Sequence, residues 1–200
     1  RGLGDVYKRQ NTLAELIPYL RSNRDKANFA HSGAGSTAQL CSMLFMSTIQ
    51  TDLTTIPYRG TGPALQDLIG NQVDLICDQP VSTTAHLQAG SIKAFAIANK
   101  TRLATLPTVP TFAEAGLPGF ELAVWHGLYA PKGTPKAVLQ TLEAALKRAL
   151  HDPALIQRFA SLGTAPVDDS QATAQALRSH LAAEIGRWGP LIKKAGVYAD

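Results

Sequence analysis

Asn28-Phe29-Ala30-His31-Ser32-Gly33-Ala34-Gly35-Ser36-Thr37 joins an apolar segment to a loop of small residues. A short apolar run, read as a strand over 27–30, breaks into small residues and hydroxyls. An apolar-periodic helix then follows through Leu40, Met43, Leu44 and Ile49. The alternation continues downstream. Residues 53–57 read as a strand and 58–62 as a loop, and Pro63 suits the first turn of a helix ending near Gly70. Residues 73–77 read as a third strand and 78–80 as a loop. A helix over 82–89, closed by Gly90, precedes a further strand over 92–98. Upstream, Thr12 and Glu15 form a capping box before Leu13, Leu16, Ile17 and Leu20, and Pro18 is placed to end or kink that helix. Strands and helices joined by short loops imply parallel βαβ units, an α/β fold. Ligands of such sheets bind beyond the carboxyl ends of the strands, where the loops that follow strands gather.

The last part of the chain has a different grammar. Pro107, Pro110, Gly116, Pro118 and Gly119 mark an irregular connector over 100–122, with one helical turn at 111–115. Residues 122–130 look extended and 131–135 form a turn. A strongly amphipathic helix spans 136–150, and another spans 152–162 with Asp152 as cap and Pro153 in its first turn. Residues 171–194 read as a long final helix. Helices without strands leave this stretch no sheet to pack on. There are no internal repeats and no low-complexity tracts.

Composition narrows the classes. The chain has 200 residues, 45% apolar and 17% charged. No run approaches the roughly 18 apolar residues of a membrane helix. The formal charge is +4, but the opening Arg1, Lys8 and Arg9 against Asp5 supply half of it, leaving 16 basic and 14 acidic residues elsewhere. That balance, with no Lys/Arg run, is no nucleic-acid footprint. Asp5-Val6-Tyr7-Lys8-Arg9-Gln10 is what one frame of a common transposon sequencing adapter encodes, so residues 1–10 are read as a scar and the true N-terminus as missing. Cys41 and Cys77 lack CxxC and zinc spacing and sit in apolar stretches. They read as two buried small hydrophobes; a disulfide is possible in an oxidising compartment, but the sequence does not place one.

Three loops offer chemistry. In Ser32, Gly33, Ala34, Gly35, Ser36 and Thr37, small residues let the backbone approach a ligand, and helix N-terminal amides and hydroxyls offer donors to an anion. A tight turn with a capping Ser36 or Thr37 and no ligand is the other reading. Tyr58, Arg59, Gly60 and Thr61 again lead from a strand into a helix start, where amides and the Arg59 charge suit a carboxylate; a solvated Arg beside a Pro-started helix is the alternative. Asp78 and Gln79 follow the third strand. Asp78 either takes an amino group, hydroxyl or water, or simply caps a turn. Gly33-x-Gly35-x-x-Ala38 also fits a dinucleotide fingerprint, and Arg59 would suit a 2′-phosphate. Against that stand a short preceding strand carrying His31 and Ser32, and the lack of an acidic residue at the end of the next strand, since Asp52 lies before it. His31, His86, His126, His151 and His180 show no metal spacing. GxSxG, GxxxxGK[ST] and a Ser-x-x-Lys site with partners are absent. Trp125 and Trp188 read as packing residues. No metal, cofactor or catalysis is expected.

An ordered series of segments resembles a known family. It runs from Asn28 to Ser36, through Ile56-Pro57-Tyr58-Arg59-Gly60 with Pro63-Ala64-Leu65, to Gln72-Val73-Asp74-Leu75 and Asp78-Gln79. It continues through Gln88-Ala89-Gly90-Ser91-Ile92-Lys93-Ala94 and Leu106-Pro107-Thr108-Val109-Pro110-Thr111-Phe112-Ala113-Glu114-Ala115-Gly116. Trp125 and Ala130-Pro131-Lys132-Gly133-Thr134-Pro135 close it. In this order the segments resemble the Bug or TctC-type tripartite tricarboxylate transporter substrate-binding proteins. The resemblance implies a periplasmic, monomeric, type II-like bilobed binding protein that hinges closed on a di- or tricarboxylate, acidic amino acid or aromatic acid. It implies delivery to membrane permease subunits, with a solute-sensing module as the variant reading and an NADP-dependent enzyme as the rival. It carries ligand contact onto Ser32 through Thr37, Tyr58 through Thr61, Asp78 and Gln79, and the unusual His31 implies a change in ligand size or charge. It also implies that about a hundred residues of an N-terminal half-lobe precede this fragment. Residues 11–122 would then be the second lobe and 123–200 the return segment of the first, exposing apolar surface when alone.

Overall fold

The computed structural model describes residues 10–194, so the scar read at 1–10 lies, except for Gln10, outside the described residues. The chain divides into two compact units, one holding residues 10–124 and 192–194 among the described residues, the other Trp125–Leu191.

The first unit is built on a parallel sheet of β1 (Asn28–His31), β2 (Thr54–Pro57) and β3 (Leu75–Ile76), in the order β2-β1-β3. Asn28 pairs with Thr54 and His31 with Pro57 on one side; Phe29 pairs with Leu75 and Ala30 with Ile76 on the other. The central strand is buried at Phe29, Ala30 and His31, as a strand flanked on both sides requires. Around it run α1 (Leu13–Ser22), α2 (Thr37–Ile49), α3 (Thr61–Ile69) and α4 (Pro80–Gln88). Helix α1 starts where the capping box placed it. Thr12 Oγ1 accepts the Glu15 N–H, and Glu15 reaches back to the Asn11 N–H at 2.7 Å. Of the two outcomes expected at Pro18, an end or a kink, the first does not occur: the helix runs on to Ser22. Both Pro18 and Ala14 are exposed, so the carbonyl its ring cannot satisfy faces water, while Leu13, Leu16 and Leu20 stay buried on the opposite stripe.

Leu13, Leu16, Leu20, Phe29, Cys41, Phe45, Ile49 and Phe120 share one core. Phe45 stands edge-on to Phe29, Phe112 and Phe120 at centroid distances of 6.0, 6.2 and 6.2 Å, the T-shaped arrangement aromatic quadrupoles favour. At full burial, each large apolar side chain contributes about 1.5–3 kcal/mol.

Four further expectations are corrected. The strand read over 73–77 is only Leu75–Ile76, because a side-chain bracket replaces the ladder at its start. The Asn28 N–H donates to Asp74 Oδ2 and the Asp74 N–H to Asn28 Oδ1, each at 2.9 Å. The strand read over 92–98 does not form. Its backbone bonds go to the connector: Ile97 N–H to the Pro110 carbonyl, Phe112 N–H to Ile97, and Leu122 N–H to Ala98. The helix read over 82–89 begins earlier, with Pro80 at its first position. Cys41 and Cys77 are not free hydrophobes but a disulfide, Cα atoms 6.0 Å apart and 36 positions apart in sequence. The helical turn at 111–115 is present, Ala115 N–H bonding the Thr111 carbonyl. Arg102 pins it through Glu114, and that guanidinium holds the Glu114 carboxyl below its usual range.

The second unit holds α5 (Lys136–Leu150), α6 (Pro153–Ser161) and most of α7 (Ala174–Lys194). Asp152 caps α6, Oδ1 accepting the N–H groups of Ala154 and Leu155. Glu143 accepts the Ala174 N–H at the start of α7, which lowers its carboxyl pKa. Residues 122–130 carry no regular element. Only Ala172 and Trp188 are buried among this unit's described residues. Leu128, Val138, Leu142, Ile156 and Ile185 are exposed, the apolar surface expected of helices without a sheet. No helix among the described residues is long and apolar enough to cross a membrane.

Candidate functional site

The register puts His31 beside Pro57 and Ala30 beside Ile76, so the three strands end at one edge of the sheet. Each runs through a short loop into a helix: Ser32–Ser36 into α2, Tyr58–Gly60 into α3, Cys77–Gln79 into α4. Strand β2 lies on one side of β1 and β3 on the other. The chain therefore switches sides at β1/β3, and a parallel sheet opens its ligand crevice there. A dinucleotide domain stacks its third strand beyond the second; here β3 pairs with β1, which is not that order.

In the first loop Gly33 and Gly35 have φ of 117° and 71°, backbone that only glycine enters without strain. Ser36 caps α2, its Oγ accepting the Gln39 N–H, and Gln39 Oε1 accepts the Gly35 N–H at 2.7 Å. This second reciprocal cap was not read from the sequence, although Ser-x-x-Gln is its signature. It leaves the amides of Ala34 and Thr37 without a protein acceptor among the described residues. His31 is 4% exposed, and its Nδ1 lies 3.1 Å from the Gly33 carbonyl. The imidazole thus braces the loop from inside.

The second loop touches the first. Tyr58 N–H donates to the His31 carbonyl at 2.8 Å, and a Cβ added at Gly33 would lie 3.5 Å from the Tyr58 carbonyl oxygen. The Tyr58 hydroxyl donates to Asp67 Oδ2 at 2.7 Å, on the same helix that the loop enters. That hydrogen bond, then burial, then the Asp67 charge push the phenol up to about 12. The Tyr58 N–H and hydroxyl are therefore both already engaged within the protein. Gly60, at φ 106°, is the N-cap residue of α3 with no side-chain cap, Thr61 is half-buried, and Arg59 is exposed with no ion pair among the described residues.

In the third loop Asp78 Oδ1 accepts the Gln79 N–H at 2.7 Å, and Oδ2 is buried with no partner among the described residues. Thr83 donates to the Gln79 carbonyl. The structure thus brings all three predicted loops to one edge: two of them in contact, the third joined to α2 through the Cys41–Cys77 bond. Three helix N-termini point their partial positive charge that way, with Arg59 nearby, and one carboxylate opposes them. Such an arrangement suits an anion held by backbone donors. No three His, Cys, Asp or Glu side chains gather as metal ligands among the described residues.

Known proteins resemble this chain in sequence and in fold. The model of the tripartite tricarboxylate transporter family receptor, TctC, matches residues 7–197. A UPF0065 protein from the ttuE–ttuC′ intergenic region of Agrobacterium vitis is 44% identical over 185 residues, 92% of this chain and 54% of its own length. Among solved structures, the periplasmic binding protein BugD superposes with a TM-score of 0.85 at 41% identity, over 96% of this chain and 64% of that one. MatC of Rhodopseudomonas palustris, solved with bound malate, gives 0.85 at 38% identity, covering 92% and 63%. An R. palustris protein solved with adipate gives 0.83 at 31%, covering 94% and 62%. The fold is that of these periplasmic binding proteins, and the chain spans between about half and two thirds of the length of these four proteins. The chain belongs to the tripartite tricarboxylate transporter family receptors, the TctC or Bug proteins.

Proposed function

We propose that this chain is the larger part of a periplasmic solute-binding protein that captures a small dicarboxylate or related acid without transforming it. It hands the solute to the membrane subunits of a tripartite tricarboxylate-type transporter. The observation that carries this reading is the convergence of three glycine- or hydroxyl-bearing helix starts on the β1/β3 switch point. Relatives of the same fold were solved with malate and with adipate, acids of two carboxylates each. Within the Ser32–Thr37 loop the free amides of Ala34 and Thr37, together with those of Gly60 and Thr61, would receive one carboxylate, with Arg59 adding charge. Asp78 and Gln79 would face a hydroxyl, amino group or water. Residues 11–122 form one lobe on this reading, and 123–200 return to the other. The exposed apolar side chains of α5 and α6 are then surfaces that the rest of the full-length protein covers.

The test is a thermal-shift screen of the full-length protein against di- and tricarboxylates, acidic amino acids, aromatic acids and NADP. A ligand at 100 times its Kd stabilises by about 2.7 kcal/mol, a shift of roughly 4–6 °C for a protein of about 200–300 residues. A shift with one class of acid supports the reading and names the class. A shift with NADP alone overturns it.

A further inference from the structure

We infer that the Cys41–Cys77 disulfide is a positioning element of the ligand site. It fixes Asp78 and Gln79 against the Ser32–Thr37 loop and so sets the length of acid the crevice accepts. The inference rests on the carboxylate-binding reading. Its basis is how little else holds the third loop. The β3 ladder ends at Ile76, after two rungs on β1. Helix α4, which follows the loop, buries none of its residues. Asp78 spends Oδ1 on the neighbouring Gln79 N–H, and Oδ2 meets no donor among the described residues, so no distant side chain holds the carboxylate in place. Its position follows the backbone at Cys77, the residue immediately before it. Cys77 is bonded to Cys41, which is 1% exposed in the core and lies on the helix that Ser36 caps. One covalent bond therefore spans the two sides of the switch point, with Cα atoms 6.0 Å apart. A loop held in its binding geometry loses less freedom when ligand arrives, and it cannot adjust to a ligand of another length.

The experiment uses the full-length oxidised protein and the variant C41A/C77V, an apolar pair that refills the space without the bond. Each is titrated calorimetrically with unbranched dicarboxylates of four to seven carbons and with malate. The expected result is a loss of tenfold or more in affinity for the preferred acid, with smaller losses for the others, so that length discrimination flattens. Unchanged affinities, or an equal factor lost for every acid, overturn the inference, because a merely structural bond would act uniformly. If the variant does not fold, wild-type protein reduced with dithiothreitol replaces it. The dithiol gives two electrons and two protons to the bond and closes to its own cyclic disulfide, leaving two thiols. If the oxidised protein binds none of these acids, the carboxylate reading fails and the setting of acid length falls with it; hydrogen exchange then decides whether the bond positions the third loop. Amides over 78–88 exchanging tenfold faster without the bond, with those of β1 unchanged, uphold it. No local difference refutes it.

Discussion

Opening the Cys41–Cys77 bond should remove a large share of the stability of the α/β unit. The bond closes a ring between positions 36 apart. In the chain-entropy account, a ring of that size restricts the unfolded chain by about 13 cal/mol/K, or about 4 kcal/mol at 25 °C. Comparing oxidised with reduced wild-type protein keeps every heavy atom, so no cavity term enters. The assay is urea unfolding of the full-length protein with and without excess dithiothreitol, followed by far-UV circular dichroism. Native-state exchange of the β1 amides reports this unit separately. With a slope of about 2 kcal/mol/M, the midpoint should fall by about 2 M. A fall below about 0.5 M, or about 1 kcal/mol, would refute the reasoning. It would mean that the reduced, unfolded chain already holds the two cysteines near each other.

Two further perturbations reach the site loops. Gly33→Ala places a side chain at φ 117°, 3.5 Å from the Tyr58 carbonyl. It should cost about 1–3 kcal/mol in the same unfolding assay and weaken acid binding, whereas Gly62→Ala, with no positive φ and nothing near its Cβ, should leave both almost unchanged. Tyr58 titrates near 12 in the folded protein instead of 10.0, because its proton is shared with Asp67. The folded state holds that proton more tightly, so the contribution is whole below pH 10 and declines as pH rises toward 12. Chemical denaturation between pH 8 and 11.5 should show this decline, and Tyr58→Phe should remove that component of it.

The α/β alternation was legible in the amino-acid sequence, because its signals are local. The Thr12–Glu15 box, the glycines after His31, Pro63 in a first turn and the Asp152–Pro153 pair each act within one helical turn. It also placed the three loops, since a loop after each parallel strand must leave from the same sheet edge. What it could not supply were relations between distant positions. The shortening of β3 depends on Asn28 meeting Asp74, 46 residues away. The segment around Ile97 is apolar enough for a strand, yet strand formation needs a free neighbour, and the connector took its hydrogen bonds. Pro18 was tolerated because the opposite face of α1 is buried. The disulfide is the clearest case: two apolar contexts say that both cysteines are inside, but only the packing of α2 against the end of β3 brings them to 6.0 Å. Periodicity records which face of an element is buried. Which elements then meet is decided by the tertiary structure, because one apolar face fits many partners and only the assembled core selects among them.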